Sequence, residues 1–393
     1  MKKVRLGIIG LGNMGASHAD KLVNEKAVPD IEVTAVCDIK ESRRNWAKEH
    51  LGEQIPVFDD AEMMMDSGLC DAVAVAVPHY DHPTYAIMSM KKGLHVIIEK
   101  PAGVYTNQVL EMIAEADRHK DLVFAIMMNQ RTNCVYKKVR ELVQSGVIGE
   151  IRRTNWLITN WYRPQSYYDS GDWRATWSGE GGGVLLNQCP HNLDLWQWIC
   201  GMPTKVTAHL QFGKWHDIEV EDDVTAFVEY ANGATGCFIT TTGDDPGTNR
   251  LEIDGNKGKI VTDSKTVELW TSEDGTTEEE FAATNKKPFG HRKFVRTVVE
   301  TDGEYPKHMG VFKAFAGAIL RGEPLIADGR EGINGLTISN AMHLSAFTGK
   351  TVEVANFDHD LFEAELRKRI ATSRRKENVT ETTVGDMSKT FGS

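Results

Sequence analysis

The sequence has no apolar run of membrane-spanning length. One of its longer runs, AVAVAV at residues 72–77, falls far short of the roughly 18 residues a helix needs to cross a bilayer. Basic residues are in deficit as well: 45 Lys and Arg stand against 56 Asp and Glu, for a formal net charge of -11. That balance argues against nucleic acid or an anionic membrane as partner, since both select clustered Lys and Arg. The six cysteines, Cys37, Cys70, Cys134, Cys189, Cys200 and Cys237, include no C-x-x-C pair. Their scatter speaks against a disulfide framework or a bound metal and suits reduced thiols in a cytosolic protein. The opening MKKVRLGIIG is charged like the start of a secretion signal, but its short apolar part runs into Gly10, Gly12 and Gly15 without a small-residue cleavage site. It reads as folded protein.

A length of 393 residues with 41% hydrophobic and 26% charged side chains fits two globular domains. In the first third, VRLGII, IEVTAVC, DAVAVAV, LHVII and LVFAIM alternate with helix-period segments at 14–25, 41–50, 83–92 and 106–120. Continuous apolar strands separated by helices indicate a parallel sheet covered on both faces. The expectation is an α/β Rossmann domain over residues 1–130.

The first strand runs straight into GLGNMG, residues 10–15. Glycines in that pattern allow a tight turn and close backbone approach, and the helix start offers free N–H groups to a pyrophosphate. Gly10, Gly12, Asn13 and Met14 are therefore expected to hold a dinucleotide. Asp38 ends the second strand, where a carboxylate takes ribose hydroxyls and repels a 2′-phosphate. This favours NAD over NADP, with Lys40, Arg43 and Arg44 just beyond as opposing charges. Ligands of such sheets bind beyond the carboxyl ends of the strands. VPHYDHP and IIEKPAG bring Pro78, His79, His82, Glu99 and Lys100 to that edge as expected cofactor neighbours. Lys100, following a buried strand and fixed by Pro101, is suited to steady charge developing on a substrate oxygen.

After residue 130 the pattern changes. A helical stripe at 133–145 is followed by IRRTNWLITNW, TKVTAHLQF and two alternating runs around Asn232-Gly233, a hairpin signal. Later helices near 309–320 and 332–348 are expected to pack on the sheet or on the first domain. Residues 131–370 read as an α+β domain with a mostly antiparallel sheet, and 371–393 as a polar tail, poorly ordered or reaching a neighbouring subunit. GGGVLLNQCPHNLDLWQW, residues 181–198, reads as a glycine turn entering an amphipathic helix with Asn187 and His191 on one face. Asp194 either orients that imidazole or forms a salt bridge. Residues 160–177 hold three Trp and three Tyr, a composition that stacks sugars, with contacts expected among Tyr162, Arg163, Tyr167 and Tyr168. Arg131 is expected to face the same cleft.

In order, GLGNMG, Asp38, the EKP at residues 99–101, Trp173-Arg174 and a glycine-rich helix with a histidine four residues after a polar one resemble the Gfo/Idh/MocA oxidoreductases. The resemblance spans about residues 4–350. It implies a large open sheet in the second domain, a homo-oligomer (dimer or tetramer), and oxidation or reduction of sugars, cyclitols and their glycosides. It also implies that Lys100 and His191 act on the reacting hydroxyl and that Trp173 and Arg174 lie near the cofactor. One departure matters: the family often carries Asp where this chain has Asn187. An amide only hydrogen-bonds and orients, so Asn187 is expected to position substrate while His191, near an ordinary pKa of about 6.5, serves as base beside Lys100. The alternative, also found among relatives of the fold, is a glycosidase that uses tightly held NAD for transient oxidation and elimination.

Overall fold

Buried β-branched strands joined through helices pair in parallel. In the computed structural model, which describes residues 2–374, 376 and 379, they do so as β1 (Val4–Ile9), β2 (Ile31–Cys37), β3 (Val57–Phe58), β4 (Ala72–Val75), β5 (His95–Ile98) and β6 (Phe124–Ile126). Every neighbouring pair is parallel, in the order β3-β2-β1-β4-β5-β6. The order reverses between β1 and β4, which opens a crevice beyond their carboxyl ends. β3 and the helix Ala61–Asp66 add to the expected elements, because a two-residue strand is too short to show a period.

The second sheet comprises β7 (Ile151–Ile158), β8 (Lys205–Phe212), β9 (Glu221–Glu229), β10 (Thr235–Thr241), β11 (Asn249–Gly255), β12 (Gly258–Thr262), β13 (Val267–Ser272), β14 (Phe294–Val298) and β15 (Val352–Glu353). Its order is β14-β13-β12-β11-β7-β10-β9-β8-β15, antiparallel throughout except for β7 with β10. β9 and β10 form the hairpin announced by Asn232-Gly233, with Gly233 at φ 84. The helix Pro190–Cys200 packs on this sheet through Trp196, whose ring centroid lies 5.3 Å from that of Phe238 in β10.

The helix Lys307–Arg321 follows most of the second sheet in sequence yet covers the first. Val311, Phe312, Phe315 and Ala316 join Leu6, Ile8, Ile97 and Ala125 in one buried apolar cluster, and burying each phenylalanine contributes about 1.5–3 kcal/mol. The helix His359–Ala371 buries Phe362 and Leu366. Most of the expected tail lies outside the described residues. Of its described part, the Arg374 amide donates to Glu219 Oε2 at 2.9 Å and Lys376 Nζ to the Tyr168 carbonyl at 2.7 Å. Among the described residues no helix is long and apolar enough to cross a membrane.

Candidate active site

After β1 the chain must turn sharply into the helix Asn13–Val23. Gly10 does so at φ 89, where a Cβ would meet the Ala76 carbonyl oxygen at 2.4 Å, and a Cβ on Gly15 would meet that of Gly10 at 1.8 Å. At Gly12 a Cβ would meet nothing within 4 Å: open space lies before the helix start. Gly12 caps the helix without a side-chain hydrogen bond, so the first amides, those of Asn13 and Met14 among them, are left for an anion that the helix dipole favours. Asp38 accepts from the Leu11 amide at 2.7 Å and from the Lys40 amide at 2.8 Å, tying the turn to the end of β2. Arg44 Nη1 donates to the Asp38 and Ile39 carbonyls at 3.0 and 2.8 Å. An uncapped helix start, a cleared glycine and a carboxylate beside them fit the pyrophosphate and ribose of a dinucleotide.

At the end of β4, Pro78 opens a short turn, His79–Asp81. His79 Nδ1 lies 3.3 Å from the Glu180 carbonyl oxygen, and its ring meets Trp173 edge-on at 6.1 Å. His82, expected beside the cofactor, is buried between strand ends: its ring nitrogens lie 2.6 Å from the Pro101 oxygen and 2.8 Å from that of Val77. Glu99, at the end of β5, is buried as well. Its Oε1 is 2.6 Å from His18 Nε2, and its Oε2 accepts from the Lys100 amide at 3.2 Å, so both oxygens are engaged within the protein. Burial alone would raise this carboxyl, but the hydrogen bond and charge of His18 bring it down to about 2. His18 escaped sequence reasoning, although it falls on the buried stripe Gly15, His18, Ala19 and Leu22.

Lys100 reaches across to the second region, where its Nζ donates to the Asn187 carbonyl at 2.7 Å. Burial lowers its ammonium pKa, opposed by Glu99 and Glu180 and reinforced by Arg163 and Arg174. Asn187 is not on the helix with His191. That helix starts at Pro190, since a residue without an N–H suits a first helical turn, and Asn187 occupies the turn before it. Its Nδ2 donates to Glu180 Oε1. His191, in the first helical turn, is buried, and its Nδ1 has no partner among the described residues. Burial, then the Lys100 ammonium and His308, hold it well below the ordinary histidine value, which corrects the expectation of an unperturbed base. The imidazole is neutral, with a nitrogen able to accept a proton.

Glu180 directly precedes three glycines, and that place is its signal in the sequence. A Cβ at Gly181, φ 83, would strike Val104 at 2.4 Å, and one at Gly183 would strike the Glu221 carbonyl oxygen at 1.9 Å. Glu221, fully buried in β9, accepts from the Gly183 and Leu185 amides at 2.8 and 3.0 Å. A carboxylate from the sheet thus pins the turn that carries Asn187.

Arg131 does not face the cleft. It is 3% exposed, forks onto Asp194 at 2.8 and 2.7 Å, and reaches Glu331 at 2.7 Å. Asp194 is committed to that pair rather than to the imidazole. The aromatic loop divides in two. Trp161, Tyr168 and Trp177 are buried packing residues, whereas Tyr162 is 43% exposed. Arg174 donates to Tyr167 Oη at 3.0 Å and stands over the Tyr167 and Trp173 rings, and Arg163 stands over Trp161 and Tyr167.

Residues 4–127 match the model of an oxidoreductase family with an NAD-binding Rossmann fold, and residues 136–261 match the GFO/IDH/MocA C-terminal domain. The chain belongs to the Gfo/Idh/MocA oxidoreductase family. Its cofactor is NAD. Among Gfo/Idh/MocA relatives, myo-inositol 2-dehydrogenase of Thermotoga maritima is 28% identical over 282 residues, 69% of this chain and 79% of that one. D-glucoside 3-dehydrogenase of Escherichia coli is 30% identical over 248 residues, 58% and 68% respectively. The crystal structure of the WlbA dehydrogenase of Chromobacterium violaceum with NADH and UDP-GlcNAcA matches with TM-score 0.76 at 28% identity, over 90% of this chain and 96% of that one. Within the Gfo/Idh/MocA frame, Lys100 belongs to the first matched region and Asn187 and His191 to the second.

Proposed function

We propose that this NAD-dependent oxidoreductase oxidises a secondary hydroxyl of a sugar, cyclitol or glycoside. The observation that carries the reading is the meeting of two differently charged groups from two regions: Lys100, bonded to Asn187, and the neutral His191, whose Nδ1 is buried without a partner. Gly10, Gly12, Asn13, Met14 and Asp38 are assigned to the pyrophosphate and ribose of NAD, and His79, Trp173 and Arg174 to its nicotinamide end. Bound NAD supplies the hydride acceptor. His191 takes the hydroxyl proton as general base. The Lys100 ammonium lowers the cost of negative charge on the same oxygen, an effect that burial strengthens by excluding water. Asn187 orients the substrate, with Tyr162 and Arg163 assigned to its outer part. The names of the inositol and glucoside relatives support the substrate class. The reading includes a cytosolic homo-oligomer.

The test is to mix the protein with NAD and a panel of inositols, aryl glucosides and UDP-sugars, following NADH absorbance and released aglycone together. NADH growth without aglycone is expected. Aglycone without net NADH would replace this reading with the redox-assisted glycosidase, and no NADH with any member would overturn the substrate class.

A further inference from the structure

The mechanism above leaves one carboxylate of the site unused. Glu180 is 2% exposed, and its hydrogen-bond donors are neutral: Oε2 accepts from the Ala175 amide at 2.6 Å, and Oε1 from Asn187 Nδ2. Burying a carboxylate on neutral donors is costly, and the fold nonetheless holds this one firmly. The chain at Gly181 passes too close to Val104 for a side chain, and the Glu180 carbonyl lies 3.3 Å from His79 Nδ1.

From that position the carboxylate bears on two groups. With Nδ2 taken by a carboxylate, the polar atom that remains on the Asn187 side chain is Oδ1, so the amide meets a hydroxyl as an acceptor. A neutral group at position 180 would let the amide turn either way. The Asn187 main-chain oxygen in turn holds Lys100 Nζ, which makes Glu180, Asn187 and Lys100 one connected chain.

We propose that Glu180 is a positioning residue for the hydroxyl oxidation: through Asn187 it presents an amide oxygen to the substrate, and its charge steadies the ammonium of Lys100. This rests on the dehydrogenase reading above. Facing Lys100 are Glu99 and Glu180, which favour the ammonium, and Arg163 and Arg174, which oppose it together with burial. Its charge also reaches His79, His82, His191 and His308. Burial raises the Glu180 carboxyl, reinforced by Glu221 and opposed by Arg174 and its two amide donors.

The test uses the full chain and its Glu180→Gln and Glu180→Asp variants. The rate at which acetic anhydride labels Lys100, read by peptide mass spectrometry across pH, reports the ammonium directly and needs no substrate. In Glu180→Gln the labelling midpoint is expected to fall by roughly one pH unit, the effect of losing one of the two opposite charges that face the ammonium. Glu180→Asp keeps the charge but is too short to hold Asn187. Its midpoint should stay near that of the unaltered protein, while KM for the panel member oxidised fastest rises severalfold and kcat changes less. An unmoved midpoint in Glu180→Gln, or an unmoved KM in Glu180→Asp, overturns the proposal in variants that circular dichroism shows to be folded. Should Glu180→Gln fail to fold, a midpoint in Glu180→Asp that falls as far as predicted for Gln overturns it equally. If the unaltered chain oxidises no panel member, the dehydrogenase reading fails, and the labelling midpoints still decide the coupling of Glu180 to Lys100.

Discussion

Nε2 of His18 and Oε1 of Glu99 lie 2.6 Å apart, with side chains 2% and 9% exposed. The pair joins the helix that begins at the nucleotide turn to the strand end that carries Lys100. Removing His18 would leave a buried carboxylate short of a donor, at a cost of about 3 kcal/mol. His18→Ala is expected to lower the unfolding free energy by that amount in a urea titration, and His18→Gln, which still donates, by less. Equal losses would assign the effect to packing.

The second prediction concerns acid. His79, His82, His191 and His308 are all held below the ordinary histidine value of 6.5, His308 at about 4, with burial the leading cause. Below pH 6.5 the unfolded chain binds protons that the folded chain refuses, so stability is expected to fall as pH drops, by up to ~1.4 kcal/mol per unit for each such group. Glu99 acts in a lower window. Its folded value near 2 lies below the ordinary 4.5, so its contribution is complete above pH 4.5 and is lost only as pH falls from there towards 2. Unfolding curves that coincide at pH 7 and pH 5.5 would contradict the histidine part.

Lys100→Ala should reduce kcat by a factor on the order of 100 to 1000, the usual effect of removing one donor to a developing oxyanion. NAD affinity measured by fluorescence titration should change little, because the residues proposed for its pyrophosphate and ribose are others, Gly10, Gly12 and Asp38. Retained turnover would remove Lys100 from the mechanism.

Asn187→Asp sets a second carboxyl against Glu180. Two such groups in contact share a proton and titrate as a pair, the second proton leaving only above the ordinary carboxyl range. Turnover of this variant should persist at low pH, where the shared proton keeps the contact attractive, and decline as pH rises and the proton is lost. A pH profile identical to that of the unaltered enzyme would show that residue 187 is uncoupled from the site.

NAD should bind more tightly than NADP in calorimetric titration, since Asp38, proposed to take the ribose hydroxyls, would repel a 2′-phosphate. Asp38→Ala should narrow that preference. It should also weaken NAD itself, because the carboxylate holds the Leu11 and Lys40 amides.

The parallel sheet and its glycine turn were legible because each element carries its own period and punctuation: VRLGII running into GLGNMG is strand, turn and helix in one reading. The helix Gly332–Thr348 was legible for the same reason. What escaped depends on partners far apart in the chain. Nothing local to Arg131 announces Asp194 or Glu331, so a buried ion pair looked like a cleft residue. His82 and Glu99 stand at the expected edge, but Pro101, Val77 and His18 decide which way they turn. Helical spacing alone put Asn187 beside His191, whereas Pro190 starts the helix three residues later.

The helix Lys307–Arg321 has a consequence for how the enzyme is made. Synthesis delivers the six strands of the nucleotide-binding sheet well before the residues that cover Leu6, Ile8 and Ile97. Until residues 307–321 emerge, the early helices Asn13–Val23 and Glu41–Leu51 cover that face only in part, an exposure that favours aggregation and chaperone capture. A ribosome stalled before that point holds a nucleotide half whose strands are all made while part of its sheet is still uncovered.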